Sequence, residues 1–263
     1  MSIKRNTGNL NFDLNFNLKF IIIMLFIIIS SLLSGCSDDD NNTWVVATSA
    51  DNPPYEFIRD GEIEGFDIDL IIAIGQHLGK RIEFRTMEFH GILAALSTKN
   101  VDMAIAGMSV TKDRLARVDF SIPYTDAKIS ILSKKENNYQ ELENLKGKVI
   151  GAQLGTIWSL IAHDISLKYP FKTVTLASNL MLFEELKSGR VDALIMEETQ
   201  SQKFISKNPQ MSSFHISEYG SSFAIALPKG SVDKKNIDHT IKALRSNGTI
   251  NSLAKKWNLI GAY

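Results

Sequence analysis

The chain has 263 residues, with 29 lysines and arginines against 29 aspartates and glutamates. That length admits one large domain or two small ones, each able to bury a core, and the balanced charge lacks the basic surplus of a nucleic-acid-binding protein. A single cysteine, Cys36, excludes an intrachain disulfide and a cysteine-based metal cluster.

The first pattern along the chain is a leader. Lys4, Arg5 and Lys19 precede an apolar run at 20–33, broken only by Ser30 and Ser31, and Leu33-Ser34-Gly35-Cys36 closes it. A basic start, a short apolar core and small residues before a cut make a secretory signal over 1–35. About 14 apolar residues fall short of the roughly 20 that a membrane-spanning helix needs. The last four residues resemble the bacterial lipobox, which implies cleavage before Cys36 and lipidation of its thiol. A thioether-linked diacylglycerol and an amide-linked chain together suffice for stable anchoring. Residues 36–42, with three aspartates and two asparagines, then make a polar tether with nothing to bury.

From residue 43 onward, strand and helix patterns alternate. The apolar, β-branched run 44–48 predicts a buried strand, broken by Asp51-Asn52-Pro53-Pro54. Helical spacing at 67–78 ends at Gly79; a short helix at 92–96 runs into a strand at 101–106. There follow a strand at 149–152, a helix at 157–167, a strand at 174–176, a helix at 180–187 and a strand at 191–196. The tail carries a strand at 223–227 and helices at 232–245 and 249–257. Such alternation implies an α/β fold with parallel sheets covered on both faces.

An internal echo divides the chain. Residues 96–105, with Leu96 and Val101-Asp102, match residues 186–195, with Leu186 and Val191-Asp192, ninety residues on. Each copy is a helix end, a polar turn and a buried strand, as two lobes of similar construction would leave. Asp102 and Asp192 are read as structural strand-start residues. Parallel sheets place ligands beyond the carboxyl ends of their strands, which points to 106–114 after the first copy and 196–199 after the second.

In the first segment Gly107 permits close backbone approach, and Ser109 and Thr111 supply hydroxyls. Thr111 is placed to cap a helix containing Arg114, whose two-pronged cation suits a carboxylate. In the second, Glu197 ends an otherwise apolar strand, where a carboxylate needs a partner such as an ammonium group. Gln153-Leu154-Gly155-Thr156 opens another helix and offers N–H groups to the same guest.

These stretches, with Asn52-Pro53-Pro54-Tyr55-Glu56-Phe57, Gly65-Phe66-Asp67-Ile68-Asp69-Leu70, Phe120-Ser121-Ile122-Pro123-Tyr124 and the segment from Gly248 to Trp257, resemble the polar-amino-acid family of bacterial solute-binding proteins, and within it arginine-binding transport lipoproteins. The resemblance implies a two-lobe, type II periplasmic-binding-protein-like fold with a two-strand hinge: lobe one from 43–129 and 222–263, lobe two from 130–221. It implies a monomer outside the cytoplasm that hands a free amino acid, arginine first, to an ABC permease. Arg114 and Ser109, with backbone from Gly107 and Thr156, would hold the α-carboxylate, and Glu197 the α-ammonium. Ser49 and Asn52 stand where many relatives carry an aspartate and a stacking aromatic; Phe89 keeps the other stacking position, with Trp158 nearby. Asp51 and Glu56 are the nearest acids to meet a cationic side chain.

The alternative is a cyclohexadienyl dehydratase-like enzyme on the same fold, with Glu197 as the acid–base group. A complete clamp for an amino acid argues against it, so binding without turnover is expected. The five histidines show no metal-ligand spacing and no phosphate-binding loop appears, so neither metal nor cofactor is expected.

Overall fold

The computed structural model describes residues 42–259; the leader, Cys36 and most of the polar tether lie outside them. β1 (Thr43–Thr48) has Val46 and Ala47 fully buried, as a strand covered on both faces requires. β2 (Asp51–Asn52), β3 (Glu56–Arg59) and β4 (Glu62–Glu64) form a small antiparallel sheet. α1 (Phe66–Leu78) buries Phe66, Leu70, Ile71 and Ile74, an apolar stripe at helical spacing. Asp67 and Asp69 stand in its first turn, at the positive end of the helix dipole, and Gly79 ends it with φ 67°. β5 (Arg81–Thr86), α2 (Ile92–Ser97), β6 (Met103–Ala104), α3 (Lys112–Leu115) and β7 (Val118–Phe120) follow.

The chain then enters a second sheet. β8 (Thr125–Lys134), β9 (Val149–Gln153), α4 (Ile157–Lys168), β10 (Lys172–Leu176), α5 (Asn179–Ser188), β11 (Ala193–Glu197), α6 (Glu198–Lys207) and β12 (Met211–Phe223) build the second lobe. β13 (Ala226–Pro228), α7 (Lys234–Ser246) and α8 (Thr249–Trp257) return to the first. Ile237, Ile241, Ile250 and Trp257 from these last helices join α1 in one core. The stacked pair Phe183 and Phe204, with ring centroids 4.3 Å apart, belongs to the core of the second lobe.

The sheets run β5-β1-β6-β13-β7 and β10-β9-β11-β8-β12. In each, four strands share one direction and one strand opposes its neighbours: β13 in the first, β8 in the second. The two opposed strands are those that arrive directly from the other lobe. With no helical crossover to turn the chain round, an entering strand must run antiparallel. This is why the sheets are mixed where alternation alone predicts parallel ones.

The internal echo has a physical basis. The Asp102 carboxylate accepts the Val45 N–H at 2.7 Å, and the Asp192 carboxylate accepts the Val149 N–H at 2.8 Å. Each aspartate ties its strand to the start of its parallel neighbour, the structural role read from the sequence. Most expected strands shift by one or two residues at an end, and two differ in kind. The strand expected over 101–106 pairs as β6 at only two residues. The run 223–227 is two elements: Phe223 pairs with Thr125 in the second sheet and Ala226 with Ala104 and Phe120 in the first. Both sheets bury it, so its hydropathy is continuous across the crossing.

Candidate functional site

The segment after β6 turns sharply. Gly107, with φ 52°, gives its N–H to Asp67 Oδ2 at 2.8 Å, and a Cβ there would lie 2.8 Å from Asn52 Nδ2. Thr111 caps α3 as its spacing predicts, its hydroxyl accepting the Arg114 N–H at 3.2 Å. The Arg114 side chain folds inward and is 6% exposed. It donates to the Ser109 carbonyl at 2.7 Å and, across the lobes, to the Gly155 carbonyl at 3.0 Å, and its Cζ lies 5.4 Å from the centre of the Phe89 ring. Among the described residues its partners are carbonyls and a ring, none of them a carboxylate. Burial pushes its pKa down to about 10, so the group stays cationic at neutral pH. A buried cation without a counter-charge is costly, and an anion would relieve it.

The second lobe answers with two helix starts. Gly155 and Thr156 lead into α4, where Thr156 takes the extended N-cap conformation and its hydroxyl donates to the Gln153 carbonyl at 2.7 Å. Glu197 ends β11 and caps α6: its carboxylate accepts the Gln200 N–H at 2.9 Å and the Thr199 hydroxyl at 3.1 Å. It is 3% exposed. Burial pushes its pKa up to about 7, against the lowering effect of the bonds from Thr199 and Gln200.

Between the lobes lies a tightly closed cavity of about 10 Å³. Of the residues expected from sequence it brings together Asn52, Phe89, Gly107, Gln153, Thr156, Trp158 and Glu197. Arg114 and Thr111 line an adjoining groove that shares Thr156 with the cavity. Ser109 is buried beneath Arg114, and Ser49 is buried with its hydroxyl donating to Asp51 Oδ1 at 3.1 Å, so neither lines the cavity.

The cavity wall is acidic. Asn52 Nδ2 donates to Glu56 Oε1 at 3.0 Å, and Asp67 Oδ2 accepts the Tyr124 hydroxyl at 2.7 Å. The Glu56 and Asp67 carboxyl groups are fully buried and close enough to shift each other's titration. Glu56 Oε2 and Asp67 Oδ1 meet no donor among the described residues, and a proton shared between the two groups would satisfy both. Burial, then the charge of Asp67, holds Glu56 well above the usual carboxylate range; burial raises Asp67 to about 6. Asn179, at the start of α5, also lines the cavity and was not expected. The signal was present: it follows β10, at the same carboxyl edge of the sheet that located the other loops.

Two mixed α/β lobes closing on a polar cavity, with a buried arginine near one wall and a buried acid on the other, have the build of a type II periplasmic solute-binding protein. Residues 44–260 match the bacterial extracellular solute-binding proteins, family 3, and the chain belongs to that family. It is 35% identical to the arginine-binding extracellular protein ArtP of Bacillus subtilis (strain 168) over 226 residues, covering 84% of this chain and 88% of that one. Among solved structures it resembles an ancestral arginine-binding protein bound to arginine, with a TM-score of 0.79, 35% identity and coverage of 82% and 98%. The substrate-binding protein AbpA from Streptococcus pneumoniae Canada MDR_19A bound to L-arginine gives a TM-score of 0.77, 35% identity and coverage of 82% and 94%.

Proposed function

We propose that this protein captures a free amino acid, arginine before other cationic or polar ones, in the interlobe cleft and delivers it to an ABC import permease. The observation that carries the reading is Arg114, a buried guanidinium with no acidic partner among the described residues. A ligand α-carboxylate supplies the missing charge, with Thr111, Gly107 and Thr156 around it and Ser109 behind, its carbonyl holding the Arg114 guanidinium. Glu197, buried at the opposite wall, receives the α-ammonium, and the acids Glu56 and Asp67 favour a cationic side chain flanked by Phe89 and Trp158. Asn52 and Gln153 shape the same wall, with Ser49 behind it, bonded to Asp51. The family is one of extracellular proteins, so capture takes place outside the cytoplasm. Lipidation at Cys36, behind a signal at 1–35 and a tether at 36–42, would hold the monomer at the membrane. The lobes, 43–129 with 222–263 and 130–221, would swing about the crossings near β8 and β12, a ligand gripped by both favouring the closed state.

Calorimetry on wild type and Arg114→Ala tests the assignment. Two charge-assisted hydrogen bonds at about 1.5–3 kcal/mol each predict a loss of at least about 100-fold in arginine affinity, with thermal unfolding little changed. Unchanged affinity would falsify the carboxylate role. A thermal-shift panel of the twenty amino acids ranks the ligands, and a response to glutamine without one to arginine would reverse the order. The second reading, a dehydratase, rests on Glu197 being poised near neutrality. No lysine or histidine lines the cavity with it, which favours binding. Steady product formation from arogenate or prephenate would establish the enzyme instead.

A further inference from the structure

Asp51 belongs to β2 in the first lobe, yet its carboxylate is held mainly by the second. Oδ2 accepts the N–H of Asn179, at the start of the ten-residue helix α5, at 2.7 Å, and Gln153 Nε2 at 3.1 Å. Oδ1 accepts the Ser49 hydroxyl at 3.1 Å and the same Gln153 nitrogen at 3.3 Å. Gln153 is fixed in this orientation. Its Nε2 also donates to the Ala177 carbonyl at 3.0 Å, and its Oε1 accepts Asn179 Nδ2 at 2.9 Å. Gln153 and Asn179 are 4% and 3% exposed, so these donors have little access to water while the lobes are together.

We propose that Asp51 is a positioning residue that latches the closed cleft from within the protein, and is not the acid that selects a cationic ligand. The proposal rests on reading the cleft as an amino-acid site that opens and closes. In the open state Asp51, the Asn179 N–H and Gln153 are hydrated, and each is satisfied by water. In the closed state they satisfy one another. Removing the carboxylate strands two buried donors in the closed state alone, because water serves them in the open one. The penalty therefore falls on closure and not on any one guest, and every ligand loses affinity by the same factor. Asn at 51 fails as well. It keeps one acceptor for Asn179 but turns an NH₂ group toward Gln153 Nε2, which cannot flip without breaking its bonds to Ala177 and Asn179.

The test uses the full chain in mild detergent, with Asp51→Ala and Asp51→Asn beside wild type. Binding of arginine and of glutamine is measured calorimetrically, and spin labels, one in each lobe, report the interlobe distance without ligand. The latch predicts that both variants lose about ten-fold in affinity, equally for the two amino acids, and that the ligand-free distance lengthens. Wild-type affinities in both variants overturn it. So does a loss confined to arginine, which would make Asp51 a ligand-selecting acid. If wild type binds neither amino acid, the reading of the site fails by itself; the ligand-free distance then decides the latch, and an unchanged distance in Asp51→Ala overturns it.

Discussion

Glu197 is pulled toward opposite protonation states by its two surroundings. As the cap of α6 it accepts hydrogen bonds that favour the carboxylate, while burial favours the neutral acid, and burial wins, raising the pKa to about 7. An unfolded glutamate titrates near 4.5. Between these values the folded ligand-free protein holds a proton that the unfolded chain has released, so stability falls as pH rises from about 4.5 to 7. The cost at the alkaline end is on the order of 3 kcal/mol, and Asp67, raised to about 6, pushes the same way. Amino-acid binding should follow the opposite course, because an ammonium group needs the carboxylate. Scanning calorimetry should therefore show the ligand-free melting temperature declining from pH 5 to 8 while arginine affinity climbs. Glu197→Gln retains an acceptor for the Gln200 N–H, flattens both trends near pH 7 and weakens binding about ten- to a hundred-fold. The placement of Arg114, Thr111 and Glu197 was legible because each depends on near neighbours: a cap three residues from its helix arginine, an acid at the end of an apolar strand. Asp51 was not, since its partners Gln153 and Asn179 lie 102 and 128 positions away.

At the scale of elements, α1 illustrates how a helix start carries the site. No side chain caps it. The N–H groups of Phe66 and Asp67 donate instead to the carbonyls of Pro54 and Tyr55, at 3.0 and 2.9 Å. That approach needs glycine at 65, where φ is 140° and a Cβ would lie 2.0 Å from the Tyr55 carbonyl oxygen. Gly65→Ala must push the helix from the loop, moving Asp67 and, through its bond to the Gly107 N–H, the cavity wall. We expect a loss of about 3 kcal/mol in urea unfolding. Elements with a strong apolar period, such as α1, α4 and β9, were readable in advance. α6 was missed because its ten residues offer only Phe204 and Ile205 as large apolar groups, leaving no stripe to see; its marker is the pair of cap acid Glu197 and Gln200 three residues on. β12 was missed because polar and half-exposed residues fill it, and its register shifts between Ile216 and Gly220.

The whole molecule works only if its lobes can approach closely, and one glycine sets how closely. Gly155, with φ 80°, lies against the first lobe, where an added Cβ would stand 2.8 Å from His90 Cβ and 2.9 Å from His90 Cα. Its carbonyl is also the interlobe acceptor of Arg114. An alanine there carries two penalties of different origin. The left-handed backbone costs about 1–2 kcal/mol whether the cleft is open or shut, whereas the collision with His90 exists only when it is shut. Gly147 separates them. It has φ 70° and nothing within 4 Å of an added Cβ, so Gly147→Ala suffers the strain without the collision. Both variants should lose similar stability in denaturant. Only Gly155→Ala should lose ligand affinity, by about ten-fold or more for each further 1.4 kcal/mol of clash, with the change in the dissociation rate, since opening is what the clash favours. Equal affinities in the two variants would mean that the approach of the β9–α4 loop to His90 is not a condition of closure, and that the lobes grip the ligand without this contact.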